Sequence, residues 1–359
     1  MTTKQPLGKS DFASDLVRLS GISYKAFAYE GDEAALETLK SVPGFGMVAQ
    51  WLIDNLYEEY LHLDQLYNCC RVNERNYPTL YGVMRTACEI LDCPVPEVFI
   101  RYSPVYNACT YGVDRVFVEI NSALIDDYGE QELLMVLGHE MGHVKANHVK
   151  YQMVANFIVR FLPILSQILP FNFSILVQPL LLALFEWSRR AELTCDRAGL
   201  LCVQNPETAM DALSKFSGRI NKYPAEFDLD VLNSQSTEVA ESKNRVVRLL
   251  LFLNSMQLTH PYSAYRTKML KDWVDGGTYQ KIIGGDYEKD VLGEHQAGDR
   301  EPCPGCGKRI LVSLEFCPHC GTNQARGGAT AGSSRVCAGC GTPLAPMANF
   351  CVKCGAKVG

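Results

Sequence analysis

His139 and His143 stand four residues apart in the stretch LGHEMGHVKAN (137–147), with Glu140 directly after the first. On a helix this spacing puts both imidazoles about 40° apart on one face, within reach of a single ion. The Glu140 carboxylate projects beside them, where it can take a proton from a metal-bound water. The same two histidines would also suit a buried helix with satisfied imidazoles. A hydrolytic metal site needs a third protein ligand and one position left for water.

That ligand is not found just downstream. The long pattern HExxHxxGxxH requires Gly at 146 and His at 149, where this chain has Ala146 and Val149. On a continuous helix His148 lies about 140° around from His143 and faces away. The stretch SRRAELTCDRAGL (188–200) offers an alternative, because Glu192 and Asp196 are also four apart and share a helix face. Glu192 could complete the metal site, and Asp196 could accept the second N–H of a ligating histidine, fixing its tautomer. With Arg189, Arg190 and Arg197 close by, the same residues would also suit a solvated charged face.

HExxH followed by ExxxD resembles the zinc metallopeptidases related to the CAAX prenyl protease and the bacterial HtpX proteases, a gluzincin group. The resemblance runs from about Pro78 to Lys271. It includes NACTYG (107–112), similar to an Asn-Ala strand beside the family's cleft, and THPYSAYR (259–266), similar to its HPxxxxR element. The resemblance implies a zincin-type fold and hydrolysis of peptide bonds. It implies a catalytic zinc on His139, His143 and Glu192, with Glu140 as general base and Asp196 behind the ligands. It further implies that Asn107, Ala108 and Gly112 meet the substrate. His260 would stabilise the oxyanion, and Arg266 would support the site or the substrate backbone.

A second kind of metal chemistry is written into the last 60 residues. CPGC (Cys303, Cys306) is followed by CPHC (Cys317, Cys320), and CAGC (Cys337, Cys340) by CVKC (Cys351, Cys354). Ten residues separate the pairs in both copies. Four thiolates on two tight knuckles suit tetrahedral structural zinc, with no open position for catalysis. Units this small do not fold on an apolar core alone, so zinc supplies their folding energy. The expected inventory is one catalytic and two structural Zn2+. The ribbons then read as an adaptor for a peptide or protein substrate, or for a protein partner. Nucleic acid is a poor fit: residues 302–359 carry a surplus of only five positive charges, and their only aromatics are Phe316 and Phe350. The competing function is a catalytically silent protease-fold scaffold whose ribbons bind a partner.

These residues need elements to hold them. The 359-residue chain is long enough for two to three domains. The expected class is α+β: a mainly helical metallopeptidase domain with a small sheet, followed by two small β ribbons. Val, Ile, Phe and Tyr in VPEVFIRY, NACTYG and DRVFVEIN predict three short strands. Gly129, Glu130 and Glu132 predict a helix start, with that helix running to about Asn156. A second helix is predicted from about Ser174 to Val203. The division reads as 1–74 N-terminal helical region, 75–275 metallopeptidase domain, 276–301 linker, 302–322 first ribbon, 323–335 flexible linker and 336–359 second ribbon.

Residues 161–185 hold no charge, but Pro163, Pro170, Pro179, Gln167, Asn172 and Gln178 interrupt them. Both helices must meet at one ion, and the 34 residues from Met153 to Glu186 are too few for two spans of about 20 residues plus a turn. The expectation is a hairpin that packs on the core or touches a membrane through 157–185. The opening MTTKQPLGKSDFASDL lacks the apolar run of a secretion signal. A cytoplasmic protein is therefore expected, with any membrane contact peripheral and on the inner face. The seven cysteines before the ribbons, Cys69 to Cys202, show no metal spacing and read as buried small apolar residues.

Overall fold

The computed structural model describes residues 13–40, 57–113, 115–168, 173–241, 263–290, 300–302 and 309–311, with positions 244 and 247. The chain divides into two compact units, residues 1–290 and 291–359.

The first unit is built around two helices in close contact, here α5 (Glu130–Lys145) and α7 (Phe173–Val203). Their approach depends on residues without bulk. A Cβ on Gly142 would lie 2.8 Å from Ala198 Cβ and 3.1 Å from Cys195 Cα. One on Gly138 would lie 2.6 Å from Cys202 Cβ, and one on Gly199 would lie 2.5 Å from the Met135 carbonyl oxygen. Separations under 3 Å exclude a methyl group, so the backbones approach as only glycine permits.

Helix α5 begins where its acidic first turn predicts: the Gly129 N–H donates to Glu132 Oε2 at 2.8 Å. It does not continue to Asn156. Asn147 adopts a left-handed backbone (φ 58°), and the His148 N–H bonds the His143 carbonyl at 2.9 Å. Asn is one of the few non-glycine residues that takes this conformation readily, and the bond is the helix-ending 6→1 type. A new helix, α6 (Val149–Ile168), then starts in another direction.

The far side of α5 packs on α3 (Pro78–Leu91), which opens on proline at its first position. The sheet has order β1 (Cys70–Val72), β2 (Glu97–Arg101), β4 (Phe117–Asn121), β3 (Ala108–Tyr111). β2 and β4 are parallel and the outer pairs antiparallel, so β3 is an edge strand. Strand β1 falls in a region expected to be helical. The remaining helices are α1 (Asp32–Lys40), α2 (Glu58–Asn68), α4 (Ser122–Asp127), α8 (Pro206–Lys215), α9 (Leu229–Glu241), α10 (Ser263–Asp275) and α11 (Thr278–Ile283).

Two stretches outside the expected catalytic domain join its core. Leu19, Ile22 and Phe27 are fully buried in the same cluster as α3, α5 and α7. Residues 276–290, read from composition as linker, carry α11 with Tyr279 and Ile282 buried. They are also tied back to the N-terminal segment, Ser23 N–H to Glu288 carbonyl at 2.9 Å and Asp290 N–H to Gly21 carbonyl at 2.8 Å. Composition missed this because two buried side chains and a few backbone bonds leave no periodic signature.

Among the described residues no helix is long and apolar enough to cross a membrane. Residues 169–172, and the side chains of 159–182 on which a membrane contact across 157–185 would rest, lie outside the described residues. Of the seven cysteines expected to be buried, Cys88, Cys195 and Cys202 are, whereas Cys70 is exposed and Cys69, Cys93 and Cys109 are half-buried. Cys70 opens β1, whose first two residues face solvent. In the second unit, β5 (Arg300–Pro302) pairs antiparallel with β6 (Arg309–Leu311). The eight ribbon cysteines lie outside the described residues.

Candidate active site

Helices α5 and α7 bring His139, His143 and Glu192 to one point. His139 Nε2 lies 3.4 Å from Glu192 Oε2, and His143 Nε2 lies 3.4 Å from Glu192 Oε1. Both separations are long for charge-assisted hydrogen bonds. They match the spacing of neighbouring ligands on a tetrahedral zinc, about 3.4 Å for bonds of about 2.1 Å. The three side chains are 2–3% exposed, and their ligand atoms fall within 4.8 Å of one another. The donor set therefore fits a zinc ion. So does the charge: among the described residues Glu140, Glu192 and Asp196 are buried carboxylates, and Arg266 pairs with the last two.

Asp196 sits one helical turn after Glu192, with Oδ1 3.0 Å from His139 Nδ1. This bond keeps the proton on Nδ1 and turns the Nε2 lone pair towards the site. Arg266, on α10, grips the same carboxylate through Nε at 2.7 Å and Nη2 at 2.5 Å, and its Nη1 lies 3.4 Å from Glu192. Burial alone would raise the Asp196 carboxyl, but Arg266 and then His139 outweigh it and hold it below its usual range. For His139, burial acts downward and is overcome by Asp196 and Glu192, leaving the imidazole above its ordinary value. At His143 burial prevails and the value is lowered, with Glu192 offsetting part of the effect.

Glu140 is 1% exposed and turns towards the sheet, where Thr110 Oγ1 donates to its Oε2 at 2.7 Å. Thr110 lies on edge strand β3, two residues after Ala108 and hence on the same face. Alternation along NACTYG carried that signal, but the residue was not singled out. A small cleft lies beside His139 and Glu140, walled by Ala108, Met135, Val136, Leu213 and Phe216. Asn107 donates to Cys109 Sγ at 3.2 Å, and its carbonyl accepts from the Asn121 N–H at 2.9 Å. Gly112 occupies the turn after β3 at φ +85°, where a side chain would strike the Arg115 carbonyl. His260 lies outside the described residues.

His148 does not face away. The break at Asn147 folds it under His143, with their Nδ1 atoms 3.4 Å apart. Its other nitrogen meets Asp32, at the start of α1, at 3.2 Å. Nothing local in GDEAALETLK marks Asp32 as the partner of that histidine.

The family model described as Peptidase family M48 matches residues 78–274, and that described as Double zinc ribbon matches residues 303–355. The chain is 26% identical over 260 residues to the plastoglobule-localized metallopeptidase 48, chloroplastic, of Arabidopsis thaliana, covering 72% of this chain and 74% of that one. It is 28% identical over 177 residues to protease HtpX homolog 2 of Methanosarcina mazei, covering 43% and 60%. Among solved structures it is similar to S. mikatae Ste24p, with a TM-score of 0.39, 16% identity and coverage of 67% and 60%. The matched part thus spans about three fifths of the archaeal relative and of the Ste24p chain.

Proposed function

This chain belongs to peptidase family M48, and from that premise we propose that it is a zinc metalloendopeptidase whose catalytic ion is held by His139, His143 and Glu192. The observation that carries the reading is the pair of 3.4 Å separations between Glu192 and the two imidazoles, with Glu140 alongside. Bound there, zinc supplies a Lewis acid for the scissile carbonyl and lowers the pKa of water towards 7.

The chain's own groups do the rest. Glu140 takes the proton of the attacking water and returns it to the leaving amine. Thr110 holds Glu140 in place through its hydroxyl. Asp196 and Arg266 act as positioning residues, the first fixing the His139 tautomer and the second holding Asp196 and Glu192. Edge strand β3 offers backbone for an extended substrate to pair with, with Asn107, Ala108 and Gly112 at its ends. His260 is assigned to the developing oxyanion. The ribbons hold two further zinc ions and deliver a protein substrate or partner.

The test is Glu140→Gln in the full-length chain. Zinc content and melting temperature should match wild type while cleavage of a casein-type substrate falls to background. Unchanged turnover, with contaminating proteases excluded, would sink the mechanism. Intact zinc binding with no peptidase activity in wild type would favour a silent scaffold.

A further inference from the structure

The second zinc histidine raises a question that the first does not. Asp196 holds His139 from behind, but among the described residues no carboxylate is hydrogen-bonded to His143 Nδ1. A neutral imidazole that ligates through Nε2 carries its proton on Nδ1, and a buried donor needs an acceptor.

Among the described residues two groups reach that atom: the Gln152 amide nitrogen at 3.2 Å, which is itself a donor, and His148 Nδ1 at 3.4 Å, which can accept. The state of His148 is set from its far side. Its Nε2 lies 3.2 Å from Asp32 Oδ2, and Asp32 is 1% exposed. Thr194 Oγ1 donates to the same oxygen at 2.6 Å, and Asp32 Oδ1 has no hydrogen-bond partner among the described residues. A carboxylate this deeply buried requires a strong donor. The His148 Nε2–H is that donor, which leaves Nδ1 with its lone pair directed at His143. Burial pushes the Asp32 carboxyl up, but His148, Thr194 and His143 together outweigh it and the net direction is down. Trp187 packs edge-on against the His148 ring, centroids 5.4 Å apart, and limits its rotation. The Cys195 thiol lies 3.7 Å from His148 Nδ1 and is kept protonated by its own burial.

We propose that Asp32 and His148 are positioning residues of the metal centre, holding His143 through an imidazole–imidazole–carboxylate chain. The inference rests on the zinc site argued above. It adds that the centre is completed from outside the region matched by the peptidase family, residues 78–274. The N-terminal segment is fixed for this role by the helix that carries Glu192. Arg190 Nη1 donates to the Gly31 carbonyl at 3.1 Å, Arg197 Nη1 to the Ala28 carbonyl at 2.7 Å, and the Tyr29 N–H to Thr194 Oγ1 at 2.9 Å.

The experiment uses the full-length chain and reads zinc, not turnover. The catalytic ion is defined as the one lost in His143→Ala, and its affinity is measured by chelator competition. Asp32→Asn and His148→Phe should each weaken it about tenfold or more, the scale found for such supporting groups elsewhere. His148→Gln should stay near wild type, because its amide can accept from His143 and donate to Asp32. A purely packing role predicts the reverse order, Phe tolerated and Gln not. Wild-type affinity in Asp32→Asn and His148→Phe, or a loss confined to Gln152→Leu, overturns the proposal. If His148→Phe does not fold, Asp32→Asn, which keeps size and shape, decides. Wild-type protein from which His143→Ala removes no zinc would instead sink the peptidase reading itself.

Discussion

Thr110 and Glu140 make the contact on which turnover should depend most sensitively without any metal ligand being touched. The hydroxyl donates to the carboxylate that the proposed mechanism uses to take a proton from water, so it fixes the carboxylate's direction. Thr110→Val keeps the shape and removes the donor. A hydrogen bond to a charged group contributes about 1.5–3 kcal/mol, so kcat should fall about tenfold or more. KM and zinc content should change little, and steady-state kinetics with metal analysis would check this. Asp196 gives a pH prediction. Its folded carboxyl lies below the unfolded value of about 4, so its contribution to stability is complete above that pH and is lost as pH falls through the folded value. Urea unfolding should show wild type losing stability on acidification below about pH 4, and Asp196→Asn losing less over the same interval. HExxH and ExxxD were legible at this scale because each is a local pattern on one helix face. His148, Thr110 and Asp32 were not, because their parts depend on a chain reversal, a strand pairing and a contact from a distant segment.

The contact between α5 and α7 sets the distance between the histidines and Glu192. Gly142 lies one residue before His143 and faces Ala198 and Cys195. Gly142→Ala should destabilise by about 1–3 kcal/mol, as overpacking does, and should also weaken the catalytic zinc site because the helices must part. Gly82 has open space where a Cβ would go, so Gly82→Ala is the control and should be neutral or stabilising. Thermal melts of both variants, with and without chelator, would separate the effects. Helix periodicity located α7 within one residue of its observed start. The same apolar periodicity concealed the end of α5, since Val149, Val154 and Ala155 continue the pattern across Asn147. Strand β1 was missed because three residues, two of them exposed, are too short for alternation to register.

Zinc stoichiometry is the measurement at the level of the whole chain. Three ions per full-length molecule are expected, falling to two in the His139→Ala, His143→Ala double variant. A chain ending at Asp290 should fold, bind one ion and still cleave a small unstructured peptide. Ending it at Gly285 should be destabilising, because Glu288 and Asp290 bond to Ser23 and Gly21, and Lys145 pairs with Asp290 at 2.9 Å. Stripping the metal should lower the melting temperature of the chain ending at Asp290, since the buried carboxylates of Glu140, Glu192 and Asp196 then lose a counter-charge. Calorimetry before and after chelation would show it.

The docking of residues 28–32 onto α7 also dictates a schedule. Their partners Arg190, Thr194 and Arg197 lie 159 to 169 positions later in the chain. At about 5–20 residues per second, the segment leaves the ribosome roughly 10–30 s before those partners are made. Leu19, Ile22 and Phe27, which end fully buried, lack the α7 part of their core throughout that interval and suit a holding chaperone. Arg266, which braces Asp196, is translated later still, with Trp273 then closing over the free face of Arg197 at 5.2 Å. The centre therefore cannot be assembled while most of the chain is still being made. In the mechanism proposed above, a nascent chain has no braced metal site until Arg266 has been made, late in synthesis.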